Sequence, residues 1–374
     1  MVIKVKAIGI ICEYNPFHNG HVYHIKKIKK LYPDYLIILV MSTTFTQHGE
    51  VSIINKWDKT KIALNYVDLV IELPFNFATQ SADIFAYGSI NILNHLKVEK
   101  LVFGSELNDI NLLTKLAKVT ETSKYQKTLK KYLDNKLNYP RALAKTLNDL
   151  CNIKIDKPND ILGICYIKAI LKLNSNIEPI CIKRTNDYHD TKLTNKISSA
   201  TSIRESLKNN ENIKKYVPNE TLKYIKNISI EDYFDYLKYK IISSDNLLEF
   251  VEVDEGIKNR LKKYILDSNS LEELINKSKT KYYTYSKIKR ILIHILCDFK
   301  KEDINNNVNY IRVLGFNKNG QKYLNEIKSS LTIPLITKYN SLLNLELKVT
   351  SIYSLVFKNN DLIKQEYKNK PIIK

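Results

Sequence analysis

Three of the seven histidines fall in one short stretch, "EYNPFHNGHVYHI" (residues 13–25), directly after a short apolar run. A strand that ends in a turn and a new helix is where an open parallel sheet binds ligands. The helix N-terminus there offers unpaired N–H groups and the positive end of its dipole to a phosphate. His18 and His21, three residues apart, fall on neighbouring positions of the first helical turn. Two imidazoles so placed can donate hydrogen bonds to a five-coordinate phosphorus centre and offset the charge that develops on it. Gly20, without a side chain, lets a nucleotide lie against the helix, and Asn15-Pro16 is a strong turn signal. A histidine at a helix start can also be a plain cap, and a trio can suggest a metal. Steps of about 100° put His24 roughly 120° from His18, however, so the three cannot converge from one helix.

The elements that must hold this junction follow from hydrophobic periodicity. Apolar runs of strand length occupy 5–12, 35–41, 68–74, 100–106 and 178–184. Segments of helical period lie between them, at 18–31, 53–66, 81–97, 109–150 in pieces, and 159–173. This alternation predicts an α/β fold, a parallel sheet with crossover helices. "SSATSIRESLK" (198–208) reads as a further helix with Ser and Thr at its start. Beyond about residue 210 the alternation fades, and segments such as 285–299 have helical spacing, so the second region is expected to be mainly helical. "KEDINNNVN" (301–309) reads as a loop. Of only nine glycines, Gly20 and Gly104 stand best beside strand ends, where close ligand approach is served.

At 374 residues the chain suits two domains, and its 44% hydrophobic content is that of a folded protein. The net charge of +20 favours anionic partners, nucleic acid above all, and the Lys-, Asn- and Ile-rich composition is a competing cause of it. The excess is shared evenly, +10 in residues 1–200 and +10 in 201–374, so no polybasic tail carries it. Five cysteines without a CxxC pair indicate neither a disulfide framework nor a tetrathiolate zinc site. The N-terminal apolar run meets Glu13 and reads as a first strand, not a signal peptide. "YLIILVM" (35–41) is far below the ~20 residues of a membrane span, so a cytoplasmic protein with no membrane partner is expected.

His18-Asn19-Gly20-His21 resembles the HxGH signature of the nucleotidyltransferase superfamily, and "ISSATSIRE" (197–205) resembles the ISSTxIR element of its small members. Neither GxxxxGK[ST] nor GxGxxG is present. In order, "EYNPFHNGHVYHI", "INKWDKTKIAL", "VDLVIELPF", "ATQSADIFAYGSINIL", "FGSE", "PNDILGICYIKAI", "YHD" and "ISSATSIR" resemble the bacterial tRNA(Met) cytidine acetate ligase family. "YYTYSKIKRILIHIL" and "RVLGFNKNGQ" extend the similarity over nearly the whole chain.

The resemblance implies a Rossmann-like nucleotidyltransferase domain over 1–205 and a mainly helical, tRNA-binding domain over 206–374. It implies that acetate attacks the α-phosphorus of ATP to give acetyl-adenylate, and that the wobble cytidine of elongator tRNA(Met) then takes the acetyl group to become N4-acetylcytidine. The ATP site it implies comprises Ile11, Cys12, Glu13, Tyr14, Asn15, Pro16, Phe17, His18, Asn19, Gly20, His21, Val22, Tyr23 and His24. Gly104, Asn159, Arg184, Ser198 and Ser199 complete that site, and His18, His21 and Arg204 are its catalytic members, Arg204 clamping the leaving pyrophosphate. For Asn159 a helix-capping role competes. Mg²⁺ is expected with ATP, with no carboxylate cluster to identify its ligands. The family usually has Gly and Arg where this chain has Thr43 and His48 in "MSTTFTQHGE", which removes a permanent positive charge. For RNA, residues 277–290 interleave Lys281, Lys287, Lys289 and Arg290 with Tyr282, Tyr283 and Tyr285, suiting phosphate contact and base stacking; an amphipathic helix with solvated lysines is the plain alternative. Two rival functions share these motifs: a small-molecule adenylyltransferase, and a non-catalytic RNA-binding protein on the same scaffold.

Overall fold

A computed structural model of the chain describes residues 4–184, 197–357 and 360–374. The "YHD" motif (188–190) lies outside the described residues. The five expected strands form as β1 (Ala7–Cys12), β2 (Leu36–Met41), β3 (Leu69–Glu72), β4 (Lys100–Ser105) and β5 (Glu178–Lys183). They pair in parallel in the order β5-β4-β1-β2-β3. β2 is buried at all six positions, as a central strand covered on both faces must be, which is why its sequence is an unbroken apolar run.

The helices fall where the periodicity places them. Asn19–Leu31 follows β1, and Lys56–Ala63 starts at Asn55, whose side chain caps the Trp57 and Asp58 N–H groups. Ala82–His95 and Pro158–Lys172 pack together on one face of the sheet. The 109–150 stretch resolves into Ile110–Thr120, Ser123–Asp134 and Tyr139–Cys151. In the second region Phe234–Ser243, Glu255–Tyr264, Leu271–Ser278 and Tyr285–Leu296 build a separate apolar cluster, into which the first region inserts Phe45, Val51 and Phe75.

One element departs from the expected character of the second region. β6 (Ile311–Phe316) runs antiparallel beside β3 and extends the first region's sheet. β7 (Leu335–Ile336) and β8 (Ile372–Ile373) pair with the far edge of β6. β6 was missed because it stands alone between a polar loop and a helix, and carries Arg312 and Gly315 inside its run. Arg312 explains its own presence. With Lys56 it forms a buried four-membered ion network to Glu72 of β3 and Glu366, with N···O distances of 2.7–3.0 Å.

Candidate functional site

His18 is the N-cap of the Asn19–Leu31 helix, not its first helical residue. Its Nδ1 accepts the Gly20 N–H at 3.0 Å, and the His18 N–H donates back to Nδ1 of His21 at 3.2 Å. An imidazole whose Nδ1 accepts must carry its proton on Nε2 if neutral. Both rings are neutral: burial, then Arg184 and Arg204, push His18 down to about 3, and burial, then His18, lowers His21 well below the ordinary value. The capping box therefore leaves two Nε2–H donors on adjacent rings whose centroids lie 3.8 Å apart. Capping and phosphate contact, posed as alternatives by the sequence, are compatible, since the cap uses Nδ1 and leaves Nε2 as the donor.

The neighbours of the motif divide by task. Tyr14 and Phe17 are buried against His21, with centroids 4.6 and 5.6 Å away, and fix its plane. A Cβ on Gly20 would stand 2.8 Å from the His18 ring, so the glycine makes room for the imidazole itself. Asn19 donates its N–H to Tyr216 and its side-chain amide to Lys215, joining the helix start to the segment after 208. Ile11 and Val22 pack against the apolar layers, while Tyr23 is exposed. Cys12 is pushed up to about 12 by burial and stays a thiol. His24 is held near 4 by burial, and its Nε2 is buried with no partner.

Asn15, before the cis Pro16 bond, is buried and grips the next loop: its Nδ2 donates to the Val51 carbonyl and its Oδ1 accepts the Ile53 N–H. Glu13 accepts the Gln47 N–H at 2.6 Å; burial raises its carboxyl, and Gln47, Lys59 and Arg204 act against that rise. Beneath both turns Lys59 is fully buried and lowered to about 7, donating to the Glu13 and Ser42 carbonyls, which staples the ends of β1 and β2 together.

The second motif arrives at the same place. Ser199 caps the Ala200–Lys208 helix by accepting the Ser202 N–H, and Ser198 is buried beside it. Arg204 donates from one terminal nitrogen to the Asn15 carbonyl at 2.7 Å and from the other to the Thr201 hydroxyl at 3.4 Å. A guanidinium has five N–H donors, so three stay available for an anion.

A third group stands at the ends of β4 and β5. Asn159 is not a cap; Lys157 holds that position. Its amide donates to Glu106 at 2.6 Å, and its oxygen accepts from Arg184 at 3.4 Å. Gly104 lies against the Arg184 stem, 3.0 Å from where a Cβ would stand. Asp160, unnoticed in the sequence, accepts from the Ser105 hydroxyl and the Glu106 and Leu107 N–H groups and so shapes the turn that carries Glu106. A single Asp after Pro-Asn gives no signal of such a role, because its partners lie more than fifty residues upstream.

The loop after β2 departs from the usual family residues as noted. Thr43 is buried and hydrogen-bonded to Glu72. His48 is pushed down to about 4 by burial, then by Arg290, and so is neutral beside Arg204 and Lys289. Among the expected RNA contacts, Lys281 is exposed and the Lys287 ammonium lies 4.3 Å from the Tyr282 ring centroid. Lys289 is buried and paired with Glu50, and Arg290 is paired through two bonds with Glu252, so neither is a bare surface charge.

No group of three or more His, Cys, Asp or Glu side chains suited to a metal exists among the described residues. No described helix is long and apolar enough to cross a membrane.

The pattern of the HIGH nucleotidyl transferase family matches residues 5–369. The tRNA(Met) cytidine acetate ligase of Caldicellulosiruptor saccharolyticus is 43% identical over 98% of both chains, and that of Anoxybacillus flavithermus 38% identical over 98% of this chain and 100% of its own. A crystal structure of Thermotoga maritima TmcAL (apo, form I) superposes with a TM-score of 0.91 at 28% identity, covering 98% of this chain and 99% of that one. The Thermotoga maritima TmcAL structure with bound alpha-thio ATP superposes with a TM-score of 0.88 at 29% identity, over 98% of this chain and 99% of that one.

Proposed function

Because the chain belongs to the HIGH nucleotidyl transferase family and aligns over 98% of its length with curated tRNA(Met) cytidine acetate ligases, we infer that it is an ATP-dependent ligase that modifies tRNA. Acetate attacks the α-phosphorus of ATP, pyrophosphate leaves, and the acetyl-adenylate passes its acetyl group to the exocyclic amine of the wobble cytidine in elongator tRNA(Met), releasing AMP.

The chain's own groups suit the first step. The Nε2–H donors of His18 and His21 face developing charge without needing to gain or lose a proton, since both rings are neutral. Arg204 and Arg184 supply permanent positive charge to the leaving pyrophosphate and the triphosphate. No protein nucleophile is needed, because the substrate carboxylate attacks directly, and the one cysteine in the motif is held protonated. Positioning and electrostatics then carry the rate. The observation that bears most weight is the Arg204 hydrogen bond to the Asn15 carbonyl, which joins the two signature motifs in one site.

Mg²⁺ finds no protein cluster to hold it among the described residues, so it would arrive on the phosphate oxygens, as this ion commonly does. Residues 1–205, whose sheet β6–β8 complete, would bind and activate, and the helices of 206–374 would hold tRNA, with Lys281 and Lys287 contacting RNA and Lys289 and Arg290 shaping the junction between them. A protein that works on tRNA would do so in the cytoplasm. The rival small-molecule adenylyltransferase and non-catalytic RNA-binding readings are not favoured by relatives of the same length and name.

The test is incubation with labelled ATP and acetate, with and without tRNA, following adenylate and acetylated nucleoside. Acetate-dependent pyrophosphate exchange without RNA, and N4-acetylcytidine only with elongator tRNA(Met), is expected. Adenylate formation indifferent to acetate, or no modified nucleoside with any tRNA, would refute it.

A further inference from the structure

Beside Arg204 a cavity of about 260 Å³ lies between the Ala200–Lys208 helix, the loop at Glu50, and the helices of the second region. Its cations are Arg204, Lys208, Lys226 and Lys289. Its carboxylates are Glu50, Glu205, Glu231 and Glu272. Equal numbers of each sign do not make a phosphate site, which would carry an excess of cations. They suit a neutral polar ring that presents donors and acceptors side by side.

Tyr285 supplies the flat wall such a ring needs. Its hydroxyl donates to Glu272, and the Lys289 ammonium lies 5.1 Å from its ring centroid. Burial raises the phenol, then the Glu272 bond, with Glu50 and Glu205 acting the same way from a distance. A cytosine offers an exocyclic amine that Glu accepts well, acceptors at ring N3 and carbonyl O2 for Lys or Arg, and a π-face for stacking. Enzymes that act on a base take it out of its stack into a pocket of this kind. Arg204 lines this cavity and also holds the Asn15 carbonyl of the first motif, so a base held here would lie beside the proposed ATP site, where its amine can attack the acetyl carbonyl of the adenylate.

We propose that this cavity receives the acceptor cytosine of the tRNA, with Tyr285 as its stacking wall and Glu272 as the acceptor for its exocyclic amine. The inference rests on the tRNA-acetylating reading above. Lys289, buried and paired with Glu50, closes the side of the cavity where the loop after β2 meets the second region.

The test uses the full-length protein and two variants, Glu272→Gln and Tyr285→Leu, each measured for acetate-dependent pyrophosphate exchange without RNA and for acetyl transfer to tRNA. Exchange within twofold of wild type and a roughly tenfold loss of transfer are expected for both. A second measurement serves if Tyr285→Leu does not fold: binding of an anticodon stem-loop carrying C or U at the wobble position, by wild type and by the exposed-site variant Glu272→Gln. Wild type should prefer C, and the preference should shrink severalfold in Glu272→Gln. Unchanged transfer in the variants, or equal binding of C and U by wild type, overturns the acceptor site while leaving the enzyme's activity standing. Absence of any transfer by wild type overturns both.

Discussion

Arg204 reaches back 189 residues to donate a 2.7 Å hydrogen bond to the carbonyl of Asn15. That bond makes the turn after β1 and the helix Ala200–Lys208 a single unit, since Asn15 in turn holds Val51 and Ile53. An arginine recruited only to bind phosphate would not need to grip the backbone of the opposite motif. On the proposed reading, this bond orients the guanidinium before ATP arrives and would lower the entropy lost on binding.

Arg204→Lys should therefore hurt more than the loss of donor count suggests. A lysine offers a compact charge without the planar fork that fixes one edge on Asn15 while aiming the other at an anion. Acetate-dependent pyrophosphate exchange should fall roughly 10²-fold, and an exchange rate near that of wild type would contradict the assignment.

The two tasks of His18 can be separated. Asn is a preferred N-cap, so His18→Asn should keep the Gly20 contact and a thermal midpoint close to wild type, whereas it removes the Nε2–H donor. Exchange should drop by roughly 10²–10³-fold. His18→Ala should lose the same activity and about 1 kcal/mol of stability besides. Equal stability of the two variants would count against the cap.

The buried histidines set a direction with pH. His18 is lowered to about 3, and His24 and His48 to about 4, each from an ordinary 6.5. Below 6.5 the unfolded chain takes up protons that the folded chain refuses, so stability is full above that pH and is lost progressively as pH falls toward 3–4. Urea midpoints measured at pH 7.5, 6.0 and 5.0 should decrease in that order. The exchange rate of still-folded protein should show no titration near 6.5, because His18 and His21 stay neutral through it.

Gly49 has φ +75°, and a Cβ there would stand 2.6 Å from the Lys289 Cβ and 2.7 Å from the Arg290 nitrogen. The loop that holds Glu13 through Gln47 is thereby pressed onto the Tyr285–Leu296 helix. Gly49→Ala should cost about 1–3 kcal/mol, read as a lower denaturant midpoint. An unchanged midpoint would mean the loop and helix are not held this closely.

Glu366→Gln should leave Lys56 and Arg312 buried with Glu72 as their one remaining carboxylate in the network, costing about 3 kcal/mol or more. The double variant Glu366→Gln, Arg312→Met should recover part of that loss in thermal denaturation, since charge balance is restored.

The first five strands and their helices were legible because burial on both faces of a parallel sheet writes apolar runs that periodicity reads directly. The site was legible where residue type and position coincide: His18 and His21 at a strand end, Arg204 one helical turn past a serine cap. Lys59, Glu106 and Asp160 were not, because their roles come from partners brought by the fold. Lys59 sits among other lysines, and only its burial beneath two turns distinguishes it. β6 escaped for the converse reason: its partner strand β3 is more than two hundred residues upstream, and no local pattern announces an antiparallel edge joining a parallel sheet. Lys289 and Arg290 show the limit of reading a basic run as a surface, since facing glutamates take up both.

The position of β6 also bears on how the protein is made. Glu72 and Lys56 leave the ribosome early, whereas Arg312 and Glu366, which complete their buried network, follow roughly ten seconds to a minute later at ~5–20 residues per second. Through that interval the open edge of β3 is an unpaired template for other strands. The first region's sheet thus stays open until the chain's last strands arrive, and the protein's yield in the cell should respond to translation speed more than to the strength of any single contact.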